Sequence, residues 1–398
     1  MTSASLLLRI NGVLPDIDSH AANTSVSVHR DGFHLLIDAG TGVNKSLQDS
    51  STSGRPAKPD AIVITNSKRQ HIVDLPNLAK EDIKIYCTKE CGQKIAEEFP
   101  SLARSISAIT PGTAFKLGPF VVTPIAADNA GDNPGIPGSV VFVLQADDRK
   151  IITAWDFLSL PGANESIFWN PDVLVLGAET YNDHPSTGMI SISEAFNVVR
   201  RWNAKTCYLL HYSGEKDRED ARNQWHRGPT SPLSPEALQA VIDKHLLVSD
   251  GEGKFSMTVA KQGMTWTPPA FQEDQGAIGR RIEVDGLDRH SFAIEKTDSG
   301  KVIVSIEDSF SQRVNEFINP SSDGKSLHAT AIKSILLKGP ELELTVSEDS
   351  VQINIRRGKK AMFAENLGVS ERDSKRLKKY LDENFVKVQP MHDVSAEA

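Results

Sequence analysis

Eight short runs rich in branched and aromatic residues constrain this chain more than anything else in it: HLLIDAG, AIVITN, IKIYC, FVVTPIA, SVVFVLQ, KIITAWD, DVLVLGAE and CYLLHYS, spread over the first 267 residues. Runs of this length and composition are strands, and several of the stretches between them are long enough for helices. Polar residues gather at their C-terminal ends, which describes a layered α/β arrangement with its chemistry on one rim. Between the last two runs, Ile192, Ala195, Phe196 and Val199 repeat at helical spacing behind Ser191 or Ser193, predicting one amphipathic helix over Ser191 to Ala204. The opening MTSASLLLRI reads as a first strand and not as a cleaved leader.

A chain of 398 residues is too long for one ordinary core, and two domains are expected. The first spans residues 1–267, and PPAFQEDQGA marks a linker over 268–279. The remainder, 280–398, begins with the runs RRIEV, SFAIEK, KVIVSIE, SILLKG, LELTV and VQINIRR, which alternate apolar and polar residues as strands with one wet face do. It ends in a basic helical segment, making a smaller C-terminal α+β domain.

Three cysteines, Cys87, Cys91 and Cys207, form no C-x-x-C pair and argue against both a disulfide framework and a thiolate zinc site. No run of 18 apolar residues exists to span a bilayer, so no membrane partner is expected and the expected compartment is the cytoplasm. A net charge of −8 gives no overall attraction to polyanions, so a nucleic-acid surface has to be a local patch.

The order of several landmarks is informative: LLIDAG ending near Asp38, ITNSKRQHIVDLP, KIITAWD ending in Asp156, LLHYSG with His211, and VAKQGMTW as a closing strand. In this order they resemble the metallo-β-lactamase superfamily, over roughly the whole first domain. The resemblance implies an αββα sandwich and hydrolysis of esters, amides or phosphodiesters. It also implies a cluster of metal ligands, most of which this chain lacks. Where the family has H-x-H-x-D-H, the chain has Asn66, Lys68, Gln70 and His71. The histidine expected after VTPIA is replaced by Asn129 or Asp128, and the one near TGMIS by Met189. His71, Asp156 and His211 remain.

Two dications need more imidazole and carboxylate donors than these three, carboxamides are weak zinc ligands, and an ammonium at Lys68 repels a cation. The expected cofactor is therefore none, or at most one divalent metal ion on His71, Asp156 and His211, with Asp183 or His184 as further donors. In one reading Lys68 stands in for the lost metal's charge against Asp156. In the leading one it is a Schiff-base nucleophile on damaged or abasic DNA, of glycosylase or AP-lyase type, with His71 and His211 as acid and base and Asn66, Gln70 and Asn129 lining the site. Alternatives are a mononuclear metal-dependent phosphodiesterase or nuclease, and a non-catalytic nucleic-acid-binding module.

DNA is the expected partner because of the second domain. Lys359 to Phe385 resembles a helix-turn-helix, with Ala364 and Gly368 four apart, and with Ser370 and Asp373 as a capping pair. From Arg356 to Lys379 nine Lys/Arg face three acids, and Arg372, Lys375, Arg376 and Lys379 are the candidate phosphate contacts. The long insert after His211 carries Trp225, His226 and Arg227, a candidate lid that stacks on a base or sugar.

Overall fold

The computed structural model describes residues 6–14, 21–51, 58–79, 83–130, 134–146, 149–184, 186–222, 229, 231–249 and 255–268, then 281–285, 290–296, 302–308, 328–329, 341–347, 350–357 and 360–384. The chain divides into two compact units, Met1–Ala270 and Phe271–Ala398. The expected linker, from residue 269 onward, lies outside the described residues.

All eight β-runs of the first unit are strands, placed in two seven-stranded sheets. The first sheet runs β14 (Thr265–Trp266), β1 (Leu7–Gly12), β2 (Ser25–Arg30), β3 (Phe33–Ile37), β4 (Ala61–Val63), β5 (Lys84–Thr88), β6 (Ile106–Ile109). The second runs β13 (Ser256–Val259), β12 (Thr206–Leu210), β11 (Val173–Gly177), β10 (Arg149–Ala154), β9 (Val140–Ala146), β8 (Phe120–Ala126), β7 (Phe115–Leu117). The expected closing strand VAKQGMTW is instead divided: β13 ends one sheet, the chain turns at 261–264, and β14 edges the other.

Alternation along each strand sorts side chains between two layers. Leu35, Ile37, Val63, Phe142, Leu144, Val173 and Val175 enter the core between the sheets. Their neighbours Leu36, Ile62 and Ile85 face outward, where α1 (Val43–Ser51), α2 (Arg69–Ile72), α3 (Leu75–Leu78) and α4 (Lys89–Glu98) cover them. On the other outer face Val143, Ile152, Leu174 and Leu209 pack against α5 (Ile192–Arg201) and α7 (Pro235–Ser249). The result is an αββα sandwich. Helix α5 begins where its cap predicts, with the Ser191 hydroxyl accepting from the Glu194 amide. All three cysteines are buried free thiols.

In the second unit, β15 (Arg281–Asp285), β16 (His290–Lys296), β17 (Val302–Asp308) and β18 (His328–Ala329) form one antiparallel sheet. A second antiparallel sheet comprises β19 (Glu341–Val346), β20 (Ser350–Arg357) and β21 (Lys360–Gly368), and the helix α8 is Glu371–Asn384, counting α6 (Glu215–Arg222) in the first unit. The SILLKG run lies outside the described residues. The helix-turn-helix expected at Lys359–Phe385 is corrected: its first helix is β21, paired with β20 with Phe363 opposite Ile355 and Leu367 opposite Val351. Residues four apart satisfy a helix turn and a strand alternation alike, and a neighbouring strand in register decides for the strand. The second half does form a helix, with the Ser370 hydroxyl accepting from the Asp373 amide. Among the described residues, no helix is long and apolar enough to cross a membrane.

Candidate active site

The site lies where the C-terminal ends of strands from both sheets meet. Asp38 follows β3, and residues 65–71 follow β4. Asp156 follows β10 and His211 follows β12. The chain must leave each strand sharply there. Asp38, Asp156 and His211 all adopt left-handed backbone, with φ of 58°, 53° and 70°. Gly40 lets the loop after Asp38 press on α2: a Cβ there would sit 1.7 Å from the Gln70 carbonyl oxygen.

Asp38 is fully buried and its carboxylate is surrounded by donors. Oδ1 accepts from the Thr65 amide at 2.8 Å, and Oδ2 from the Thr65 hydroxyl at 2.6 Å and from Trp155 Nε1 at 2.8 Å. His71 Nδ1 stands 2.8 Å from Oδ2 as an ionic contact, out of line for a hydrogen bond. The opposite ring nitrogen, Nε2, donates to Asp156 Oδ2 at 2.5 Å. That oxygen also accepts from Asn66 Nδ2 at 2.9 Å, while the Asn66 Oδ1 accepts from the Lys68 amide at 2.9 Å and so fixes the turn into α2. The other oxygen of Asp156, Oδ1, faces Lys68 Nζ at 3.3 Å and His211 Nε2 at 3.8 Å. His211 Nδ1 shares a 2.8 Å hydrogen bond with the Thr24 hydroxyl, and its amide donates to Val13 at 2.8 Å.

These contacts separate the two histidines. Burial acts to lower the pKa of His71, but the carboxylates of Asp38 and Asp156 outweigh it and raise it to about 9. His71 is an imidazolium at neutral pH. Burial lowers His211 to about 4, against the pull of Asp156, so His211 is a neutral imidazole. Burial acts to raise Asp156, yet His71 and Lys68 hold it well below the usual carboxylate range. Two carboxylates, Asp38 and Asp156, thus face two cations, His71 and Lys68, and the cluster balances its own charge.

The sequence model of a β-lactamase superfamily domain matches residues 34–212. Over residues 34–212 the chain is similar to the β-lactamase superfamily domain. No curated protein matches the chain in sequence. Solved structures similar to it include the metallo-β-lactamase fold protein YhfI from Bacillus subtilis, at 18% identity and TM-score 0.48, covering 66% of this chain and 99% of that one. Another is the short form of human tRNase Z, at 17% identity and TM-score 0.46, covering 66% and 99%. Unliganded yeast PDE1 has 12% identity and a TM-score of 0.49, covering 66% and 99%.

The strand-end positions 66, 68 and 70 do not carry donors that fit a two-metal centre. Asn66, Lys68 and Gln70 offer two carboxamides and an ammonium, and Asn66 is committed to Asp156 and the Lys68 amide. In the single-metal set His71, Asp156 and His211, His71 Nε2 is engaged by Asp156 at 2.5 Å and Lys68 Nζ lies 3.3 Å from the other oxygen of Asp156, so a metal ion there would have to displace both contacts. Among the described residues no group of three or more His, Cys, Asp or Glu is arranged to hold a metal ion.

Of the residues named from sequence, Asn66, Lys68, His71, Asp156 and His211 come together. Gln70 is on α2 beside His71. Asn129 does not join them: its Nδ2 donates to Ser139 at 3.1 Å and its Oδ1 accepts from the Ile136 amide at 2.7 Å, so its carboxamide holds a loop. Asp183 accepts from the Ser191 hydroxyl, and His184 Nδ1 is engaged with Ser186 at 2.9 Å. Trp225, His226 and Arg227 lie outside the described residues; the start of their insert is α6. On α8, Arg376 pairs with Asp373 at 2.8 Å, Arg372 with Asp373 at 3.7 Å, and Lys375 with Glu371, which tempers the basic patch; Lys378 and Lys379 are exposed. Reading the sequence missed Thr24, the partner of His211, and Trp155, a donor to Asp38. It also missed Glu179, just beyond β11, a partly buried acid whose strongest charged neighbour is Lys68. For Glu179 a signal was present: it ends the one central β-run between those of Asp156 and His211.

Proposed function

We propose that this chain is a hydrolase-type enzyme that cleaves an anionic ester of the phosphodiester class with its own side chains as base and cation. The carrying observation is that Lys68 Nζ and the neutral His211 Nε2 meet at the same oxygen of Asp156, 3.3 and 3.8 Å away. Lys68 is partly exposed, at 29% of its side-chain surface, so its charge can meet an incoming anion, whereas His71 is sealed in. His211, held through Nδ1 by Thr24, takes a proton from water on Nε2 as the water attacks. Asp156, neutralised by His71, orients both groups. Lys68 faces the charge that builds on the phosphoryl oxygens.

The lysine-nucleophile reading has less support. Lys68 Nζ sits in an ion pair with a buried carboxylate, and an ammonium has no lone pair with which to attack an aldehyde. The test is hydrolysis of bis(p-nitrophenyl) phosphate by protein purified without added metal. Turnover is expected to survive a chelator, and to fall about 10²-fold in His211→Ala, the usual size of a lost general base. Loss of all turnover on chelation, restored by one metal, would overturn this reading in favour of a mononuclear hydrolase.

For the natural phosphodiester we propose nucleic acid, on the strength of nine Lys/Arg against three acids between Arg356 and Lys379. Binding of a single-stranded oligonucleotide should weaken steeply between low and physiological salt, and Lys378→Glu with Lys379→Glu should reduce both affinity and salt slope. Salt-independent binding would count against it.

A further inference from the structure

Strands β10, β11 and β12 run parallel and adjacent, with Ala154 beside Leu176 and Gly177 beside Leu210. Asp156 lies two residues past the paired end of β10, and His211 one past that of β12. The middle strand delivers Glu179 to the same rim, two residues past Gly177. Its main chain is pinned on both sides: its amide donates to Ile190 at 3.3 Å, and its carbonyl accepts from the amides of Ser213 at 3.2 Å and Gly214 at 3.1 Å. Its side chain is partly buried, and among the described residues no donor is bound to its carboxyl group. The charges it feels most are Lys68, then Asp156, Lys216 and His184.

From this placement we infer that Glu179 is the general acid of the site, giving its proton to the leaving oxygen of a phosphodiester held at Lys68. The inference rests on the hydrolase reading above and adds the group that reading lacks. Attack forms a bond between the water oxygen and phosphorus, and the water's proton passes to His211. The bond from phosphorus to the leaving oxygen breaks, with its electron pair going to that oxygen, which takes the Glu179 proton and departs as an alcohol. The Glu179 carboxylate regains a proton from solvent and His211 releases one, so the balance closes without another reactant. Burial, the largest influence on this carboxyl, pushes its pKa upward, and Asp156 adds to that, while Lys68 opposes it. The acid and the base stand on neighbouring parallel strand ends, β11 and β12, with Lys68 at the same rim.

A general acid matters when the leaving group is poor and is dispensable when it is good. The experiment compares methyl p-nitrophenyl phosphate with methyl phenyl phosphate in wild type, Glu179→Gln and Glu179→Asp, with thermal melts of each. Glu179→Gln is expected to keep the nitrophenyl rate to within about 3-fold and to lose about 10²-fold on the phenyl ester, in the range for proton transfer by a positioned side chain. Glu179→Asp, which keeps the acid, should restore part of the phenyl rate, and covers the case of a Gln variant that melts early. Equal losses on both esters, or none on either, would overturn the assignment while leaving the hydrolase standing. Wild type inert on both esters would sink the hydrolase reading and this assignment with it.

Discussion

Asp38→Ala is expected to cost about 3–5 kcal/mol of folding free energy, the range for breaking a buried ionic pair by removing one partner. The substitution strips acceptors from the Thr65 amide, the Thr65 hydroxyl and Trp155 Nε1, all buried, and removes one of the two carboxylates facing His71. It also puts a side chain with no local hydrogen bond at a φ of 58°, where aspartate is tolerated better than alanine. Urea unfolding of the wild type, Asp38→Ala and Asp38→Asn reads the effect. Asp38→Asn keeps a carbonyl acceptor and should lose less. A shift in Asp38→Ala below about 1 kcal/mol, the worth of one ordinary hydrogen bond, would show that the cluster does not hold the fold.

His71→Gln should produce a loss of the same order, because two buried carboxylates would then face each other across a neutral side chain. Its second signature is in the pH dependence. The pKa of His71 is raised from 6.5 to about 9 in the folded chain, so the folded state keeps a proton that the unfolded state releases. The stabilisation is fully present below pH 6.5 and is lost as pH rises through about 9. Other buried groups set the window to watch. His211 and His34, lowered to about 4 and about 3, act below pH 6.5, and Lys150, lowered to about 8, begins to oppose the trend above that value. Between pH 6.5 and 8, then, wild type should lose about 2 kcal/mol, at 1.36 kcal/mol per unit, and His71→Gln should be nearly flat. A wild type as flat as the variant would mean that His71 is neutral when buried.

The fold was largely legible because its strands are short branched runs that read the same in any context. The landmarks that end them, Asp38, His71, Asp156 and His211, were legible for the same reason, since a strand end determines where a side chain goes. What the sequence hid depends on partners distant along the chain. Asn129 reads as a site residue until the loop at 136–139 folds back and takes up its carboxamide. Thr24 is unremarkable alone and matters only because His211 lands 2.8 Å from it. The state of His71 was equally hidden, because an imidazolium needs both carboxylates, which are 118 positions apart in the chain, 156 less 38. At Lys360–Gly368 the residues allowed two periods, and pairing with β20 chose between them.

The site is also the seam of the sandwich. Trp155 reaches from the second sheet to Asp38 on the first, His71 and Asn66 reach the other way to Asp156, the Val140 amide donates to the Thr65 carbonyl at 2.9 Å, and Thr24 holds His211. A state in which each sheet kept its own ladder but the layers drew apart by a few ångströms would strand a protonated imidazole and two carboxylates in an apolar gap. That state has no cheap dry form, so the sheets are expected to open together. Their central amides should exchange with deuterium as one unit, at the rate of global unfolding.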